Sequence, residues 1–252
     1  MMHAPAITIK NAYLRYKNHL LFDQLNCYLP ASKTTCLLGP SGIGKTSLLR
    51  LLANLPVDTK TQQAAEIITS DGLPLTHRIS YLAQTDLLLP WLTCLENTLL
   101  GYRLRKQQSH TIRQQAELLL NKVGLSKAFN KYPHELSGGM RQRVALARTL
   151  LEDKPILLMD EPFSALDTIT RLQLQELTAT LIKNKTVLLI THDPLEALRL
   201  GHQIIIMAGQ PAKLSEPSLL NNKPPRDLTD PFLLQQQGIL LQQLTHANEK
   251  SL

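Results

Sequence analysis

The chain has 252 residues, a length that suits one large α/β domain or one domain with an inserted lobe. Its hydrophobic content of 43% supports a full core, and no apolar run approaches the ~18 residues of a membrane span. The N-terminus lacks the pattern of a signal peptide. Three scattered cysteines without metal-ligand spacing indicate core thiols in a reducing compartment. The net charge of +7 permits nucleic acid or an anionic membrane surface as a neighbour without choosing between them.

The first part of the chain alternates short apolar runs with polar residues, which predicts an antiparallel β region. The strand-like runs cover residues 7–9, 13–16, 20–22 and 25–29. The next run, residues 34–38, is apolar with β-branched residues at its start and predicts a buried strand. This strand leads directly into a glycine-rich turn.

That turn matches the phosphate-binding pattern of Gly, four residues, then Gly-Lys-Ser/Thr. It consists of Gly39, Pro40, Ser41, Gly42, Ile43, Gly44, Lys45 and Thr46. Good helix formers follow it, so the turn lies between a strand and a helix, where backbone N–H groups converge on a phosphate. Lys45 is then expected to reach the β- and γ-phosphates of a nucleotide, and the Thr46 hydroxyl to bind Mg²⁺.

An aromatic residue of the β region is a candidate for stacking on an adenine ring, because such stacking contributes ~1–3 kcal/mol. We predict this role for Tyr16, while Tyr13 and Tyr28 remain alternatives. Any of the three also suits an ordinary position on a strand.

Beyond the first helix, residues 58–65 are polar and predict a surface loop. Residues 67–69 and 79–82 predict strands around a turn. Gln84 follows the second of these strands. An amide in that position near a nucleotide can bind Mg²⁺ or the attacking water.

Residues 93–123 carry leucines at helical spacing and predict helices, which interrupt the β-rich core as an inserted lobe. Another helix is predicted to begin after Ser137 and to continue to residue 151. Ser137 is a fitting N-cap, and Gly138 and Gly139 expose backbone donors at the helix start. The sequence therefore predicts a second helix start that binds an anion.

A buried strand is predicted over residues 155–161, and it ends in two carboxylates. Asp160 is expected to bind Mg²⁺ beside Thr46, and Glu161 to polarise the water that attacks the γ-phosphate. Residues 164–167 form a predicted turn before a helix over 168–183. One more buried strand, 186–191, ends at His192, whose imidazole is a candidate for contact with the γ-phosphate.

The last part of the chain predicts closing strands over residues 203–216, a proline-rich linker over 217–231 and a glutamine-rich helix over 232–244. Lysines and arginines are dispersed along the whole sequence and do not alternate with stacking aromatics. Specific binding to nucleic acid is therefore not expected.

The motifs and their order resemble those of the nucleotide-binding subunits of ABC (ATP-binding cassette) transporters. The phosphate loop resembles Walker A, residues 156–161 Walker B, 136–139 the Leu-Ser-Gly-Gly signature, and 164–167 the D-loop. Gln84, His192 and Tyr16 hold the places of the family's Q-loop, H-loop and adenine-stacking aromatic. The resemblance implies ATP and Mg²⁺ as cofactors.

The resemblance also implies a fold: the α/β fold of P-loop ABC ATPases, with an antiparallel β subdomain and an inserted α-helical subdomain. On this basis residues 1–215 form the ATPase domain, with the helical subdomain at about 85–152. Residues 216–252 are then a C-terminal linker and helix. The signature of one subunit is expected to cover ATP held by a second copy, in a head-to-tail homodimer.

Residues 88–93 with Glu96 and Asn97 resemble importers of nitrate, sulfonates, taurine and thiamine-precursor pyrimidines. Residues 160–167, followed by Thr170 and Arg171, point the same way, whereas residues 57–66 depart from many relatives. Such importers place this subunit at the cytoplasmic face of the membrane, with integral permease subunits and, indirectly, a substrate-binding protein. Two alternatives remain: the ATPase of an exporter, and an ABC ATPase acting on nucleic acid. The second lacks support, because the sequence shows neither a coiled-coil insertion nor a duplication.

Overall fold

The computed structural model of the protein describes residues 4–16, 19–56 and 61–249, and it divides the chain into two units. The first unit takes in the described residues up to Ile79, Pro155–Asp160 and those from Ile182 onward. The second unit consists of Ser80–Lys154 and Glu161–Leu181. The predicted helical subdomain, 85–152, lies within the first of these two segments.

Both strands and helices occur along the chain. The strands are β1 (Ile7–Tyr16), β2 (His19–Leu29), β3 (Thr34–Leu38), β4 (Thr61–Thr69), β5 (Ile79–Leu82), β6 (Ile156–Asp160), β7 (Thr186–Ile190), β8 (Gln203–Ala208), β9 (Lys213–Leu214) and β10 (Ser218–Leu219). The helices are α1 (Lys45–Leu52), α2 (Cys94–Thr98), α3 (Leu100–Leu104), α4 (His110–Lys122), α5 (Gly138–Leu151), α6 (Thr168–Leu181), α7 (Pro194–Leu200) and α8 (Pro231–Glu249).

The antiparallel region is a sheet in the order β2-β1-β4. The prediction of a loop over residues 58–65 is wrong for residues 61–65, because β4 begins at Thr61 and pairs with β1. Residues 57–60 lie outside the described residues. The polar residues Gln63 and Glu66 are exposed, and an edge strand needs backbone pairing rather than apolar side chains on both faces. Composition alone therefore could not distinguish this strand from a loop.

The parallel sheet of the first unit runs in the order β10-β8-β3-β7-β6, with β9 paired to β8. Strand β3 is parallel to both β7 and β8, and β6 is parallel to β7. Every residue of β3, β6 and β7 is buried, which explains their continuous apolar sequences, since both faces of a parallel sheet are covered. The carboxyl ends of these three strands lie at one edge of the sheet.

The predicted linker over residues 217–231 is anchored to the first unit. It contains β10, which pairs with β8, and the buried side chain of Arg226. The Arg226 guanidinium donates to the carbonyls of Leu198 and Gly201 at 2.7 Å, at the C-terminal end of α7, where a cation is favoured. It also donates to two carbonyls of its own segment.

The predicted C-terminal helix is confirmed and is longer than the sequence indicated, because α8 runs from Pro231 to Glu249. Leu233, Leu240 and Ala247 recur every seven residues and are buried. The helix packs against α7 and β8. Among the residues that the structure describes, none of the helices has both the length and the apolar character that a membrane-spanning segment requires.

The second unit is built on α5, which packs against α2 and α4. Helix α2 begins with a capping box, in which Thr93 and Glu96 satisfy each other's backbone N–H groups. Asn97 is fully buried and holds the preceding segment through hydrogen bonds with the backbone of Leu89 and Leu92. Beside this ordered backbone, Trp91 is 69% exposed.

His202 directly precedes β8 and binds the first residue of β3, and it makes the stability of the fold depend on pH. Its Nδ1 accepts a hydrogen bond from the backbone N–H of Thr34 at 3.0 Å. Burial, with the nearby charges of Lys33 and Arg226, lowers its pKa from 6.5 to about 4. Because the unfolded chain binds this proton and the folded chain does not, the free energy of unfolding falls as the pH drops from 6.5 toward 4.

We expect His202→Asn to make the stability less dependent on pH in this window. The Asn side-chain oxygen can still accept from Thr34 N–H, but it does not titrate. Urea unfolding midpoints of both proteins, measured at several pH values from about 7.5 down to about 4, give the difference in slope. Equal slopes for the two proteins would remove His202 as the cause.

Candidate functional site

The phosphate loop of the first unit lies between β3 and α1, as predicted. Gly44 is the N-cap of α1 and has a φ of 110°, and Gly42 has a φ of 77°, values that favour glycine. The carbonyl of Gly44 accepts the first helical hydrogen bond, from Leu48 N–H at 2.9 Å. The loop therefore leads into a helix start, whose backbone N–H groups and dipole attract anions.

Lys45 is the charged group of this loop. Its side chain is 8% exposed, and its ammonium group donates to the carbonyls of Gly39 and Pro40, both at 2.7 Å. These contacts fold the side chain back over the loop. A buried cation in a glycine-rich loop before a helix start is suited to a group with several negative charges, such as a nucleotide's phosphates.

Thr46 and Asp160 meet at the edge of the parallel sheet. The Thr46 hydroxyl donates to Oδ2 of Asp160 at 2.7 Å, although 114 residues separate them in sequence. Asp160 is the last residue of β6 and is 2% exposed. A hydroxyl oxygen and a carboxylate oxygen at this distance are hard ligands of the kind that Mg²⁺ takes beside a phosphate, so the donor set fits that ion.

The two remaining predicted residues of this unit lie at strand ends. His192 is exposed and follows β7 by two residues, at the same edge of the sheet as Asp160. The backbone around it is fixed, because Asp193 N–H donates to the Thr191 hydroxyl and Asp193 caps α7. Tyr16 is the last residue of β1, paired with His19 of β2. Its stacking role stays a prediction.

In the second unit, Gln84 and Glu161 are brought together. The Gln84 amide nitrogen donates to Oε2 of Glu161 at 3.4 Å, so the two residues that the sequence placed near the attacking water are neighbours. Glu161 has a φ of 49°, which is unusual for a residue with a side chain. The segment after β5 is also held by an ion pair, Arg141 with Asp86 at 3.0 Å.

The signature residues form the start of α5. The Ser137 hydroxyl caps the helix by accepting from Met140 N–H at 3.3 Å, as predicted. Ser137 and Gly138 are exposed, and no acidic residue lies in the first turn. This helix start therefore presents backbone donors to solvent without a carboxylate that would repel an anion.

Two features of the second unit escaped the sequence analysis. Arg148 donates to the carbonyls of Asp86 and Leu87, and burial lowers the pKa of its guanidinium. Gln142, in the second turn of α5, is buried and hydrogen-bonds to the segment after β6. Neither role could be predicted from the sequence, because the hydrogen-bond partners lie 19 or more residues away along the chain.

The strand, loop and helix with a buried lysine make the first unit a P-loop nucleotide-binding domain. Comparison with known proteins supports the assignment of a nucleotide-binding domain. The family model for ABC transporters matches residues 22–164. An uncharacterised ABC transporter ATP-binding protein of Haemophilus influenzae is 40% identical over 94% of this chain and 98% of its own length.

An aliphatic sulfonates import ATP-binding protein, SsuB of Delftia acidovorans, is 38% identical over 89% of this chain and 88% of its own length. A solved dimeric ATP-binding cassette, MJ0796 bound to ADP and phosphate, superposes with a TM-score of 0.73 at 28% identity. That likeness covers 86% of this chain and 99% of the other.

The chain belongs to the ABC transporter family. It is an ATP-binding subunit whose ATP hydrolysis is coupled to transport. The resemblance seen in the sequence is thereby confirmed, as are the ABC ATPase fold class and the enzymatic class.

Proposed function

We propose that this chain is the ATPase subunit of an importer for aliphatic sulfonates. The observation that carries the proposal is the relationship to proteins named for aliphatic sulfonate import, at 38% and 36% identity over about nine tenths of this chain. The sequence around Trp91 resembles importers of nitrate, sulfonates, taurine and thiamine-precursor pyrimidines, which supports import. Two copies work with integral permease subunits at the cytoplasmic face of the membrane, and a substrate-binding protein delivers the solute.

The residues of the first unit hold the nucleotide in this proposal. The phosphate loop, from Gly39 to Thr46, binds the phosphates through its N–H groups and Lys45. Thr46 and Asp160 hold Mg²⁺, which neutralises phosphate charge when bound. Tyr16 stacks on the adenine, and His192 contacts the γ-phosphate.

In this proposal the residues of the second unit act on the attacking water and on the nucleotide of the second copy. Glu161 accepts the proton of the attacking water as general base, and Gln84 orients that water and serves as a further ligand for Mg²⁺. Ser137, Gly138 and Gly139 bind the γ-phosphate of the nucleotide held by the second copy, which makes the active form a head-to-tail homodimer. The solved cassette of similar fold is itself dimeric, which supports this arrangement.

Reconstitution in proteoliposomes with candidate permease subunits and their substrate-binding protein tests the proposed cargo. We expect ATP hydrolysis to be stimulated by the partner binding protein loaded with ethanesulfonate or butanesulfonate, and not by the same protein without solute. Assemblies carrying Lys45→Ala provide the background rate. Stimulation by nitrate or a hydroxymethylpyrimidine alone would refute the sulfonate assignment, and ATP-driven transport without any binding protein would favour an exporter.

A further inference from the structure

The backbone of the proposed general base is held in an unusual conformation. Glu161 has a φ of 49°, in the left-handed region that residues with a side chain rarely adopt. Such a conformation persists only when surrounding contacts hold it. Its carbonyl accepts hydrogen bonds from the amide nitrogen of Gln142 at 3.0 Å and from the hydroxyl of Ser164 at 3.1 Å. The backbone N–H of Ser164 approaches the same oxygen at 3.4 Å.

Both the nitrogen and the oxygen of the Gln142 side-chain amide form hydrogen bonds with residues 161–165. Besides the bond to Glu161, its nitrogen lies 3.4 Å from the Ser164 hydroxyl, and its oxygen accepts from Ala165 N–H at 3.0 Å. The side chain is 8% exposed, so water does not readily replace these bonds. Gln142 therefore fixes the segment at both its first and its fifth residue.

The start of α5 packs closely on the same segment. A Cβ atom added to Gly139 would lie 3.1 Å from the carbonyl oxygen of Ala165, so the glycine allows the helix and the segment to approach. Gln142 lies one turn further along this helix. The signature end of α5 and the backbone of Glu161 are thus connected by direct contacts within the second unit.

We propose that Gln142 is a positioning residue that sets the direction of the Glu161 carboxylate through its backbone. Rotation of Glu161 out of the left-handed region would swing the side chain away from Gln84, its hydrogen-bond partner. The amide of Gln142 opposes that rotation, because the Glu161 carbonyl would lose a buried donor. This inference rests on the proposed role of Glu161 as general base.

The main test is Gln142→Met in the full-length chain assembled with its permease subunits. Met has a similar length but neither donates nor accepts a strong hydrogen bond. We expect kcat for ATP to fall by roughly 10- to 100-fold, the scale of a small misplacement of a catalytic group, while KM changes little. Ser164→Ala removes the other side-chain donor to the same carbonyl at an exposed position, and it should lower kcat by a smaller factor with KM unchanged.

Gln203→Met is the matched control. Gln203 is likewise a buried glutamine, and its amide donates to the Tyr28 carbonyl and the Thr35 hydroxyl in the first unit. Its replacement should lower the unfolding temperature and leave kcat within about twofold at 25 °C, where the enzyme stays folded. An equal loss of kcat in Gln203→Met would show a general effect of burying an apolar group, and would overturn the proposal.

The outcomes separate the inference from the role of Glu161. If Glu161→Gln is inactive while Gln142→Met and Ser164→Ala both keep the wild-type kcat, Gln142 does not position Glu161. Glu161 then still acts as the general base. If Glu161→Gln hydrolyses ATP normally, the base assignment fails first. Should Gln142→Met not fold, Ser164→Ala decides alone: an unchanged kcat overturns the inference.

Discussion

Glu161→Gln is expected to abolish ATP turnover and to leave ATP binding nearly intact. The substituted side chain keeps its size and can still pair with Gln84, but it cannot accept the proton of the attacking water. Loss of a general base costs roughly 10²–10⁴-fold in rate. Phosphate release measures turnover, and binding of a fluorescent ATP analogue measures affinity. Because hydrolysis no longer separates the copies, size-exclusion chromatography with ATP should show a trapped dimer.

Lys45→Ala provides the contrast. It removes the buried ammonium group of the phosphate loop, so we expect weaker ATP binding together with the loss of turnover. ATP should not trap a dimer of this variant. Robust steady-state hydrolysis by Glu161→Gln would remove Glu161 from the role of base. If the two variants had the same ATP affinity, the division of roles between binding and chemistry would be wrong.

The sequence predicted the parts of the site that depend on local structure. A phosphate loop is a run of eight residues whose geometry follows from its glycines and the following helix. A helix start with a Ser cap and two glycines is equally local. The meeting of Thr46 with Asp160 could also be predicted, because parallel strands bring their carboxyl ends to one edge of the sheet. Asp160 ends one buried strand, and Thr46 follows another through the phosphate loop.

The parts that escaped prediction depend on distant contacts. Residues 67–69 of strand β4 were predicted, but residues 61–66 lack large apolar side chains, and only their pairing with β1 makes them part of the strand. Arg226 occurs in a proline-rich stretch typical of a linker, yet its guanidinium closes the end of α7 from 25 and 28 residues away. Gln142 acts on a backbone carbonyl 19 residues away. No periodicity or spacing signals such bonds.

Gly39→Ala is expected to damage the phosphate loop much more than Gly42→Ala. A Cβ atom at residue 39 would lie 2.3 Å from the Met207 carbonyl oxygen on β8, and the φ of 151° already favours glycine. Residue 42 also has a positive φ, but a Cβ there would meet nothing within 4 Å. Both variants carry a backbone cost of ~1–2 kcal/mol. Only Gly39→Ala adds the overpacking cost of ~1–3 kcal/mol, because the obstacle is backbone of a central sheet.

Thermal unfolding without nucleotide separates the two variants, since the loop's ligands then play no part. At roughly 2–4 °C per kcal/mol for a chain of this size, Gly39→Ala should unfold several degrees below Gly42→Ala. Gly39→Ala should also bind ATP more weakly, because the loop must move away from β8 and carries Lys45 with it. Equal unfolding temperatures would show that the loop moves aside without strain. The close approach of residue 39 to β8 would then not be what requires a glycine at the start of the motif.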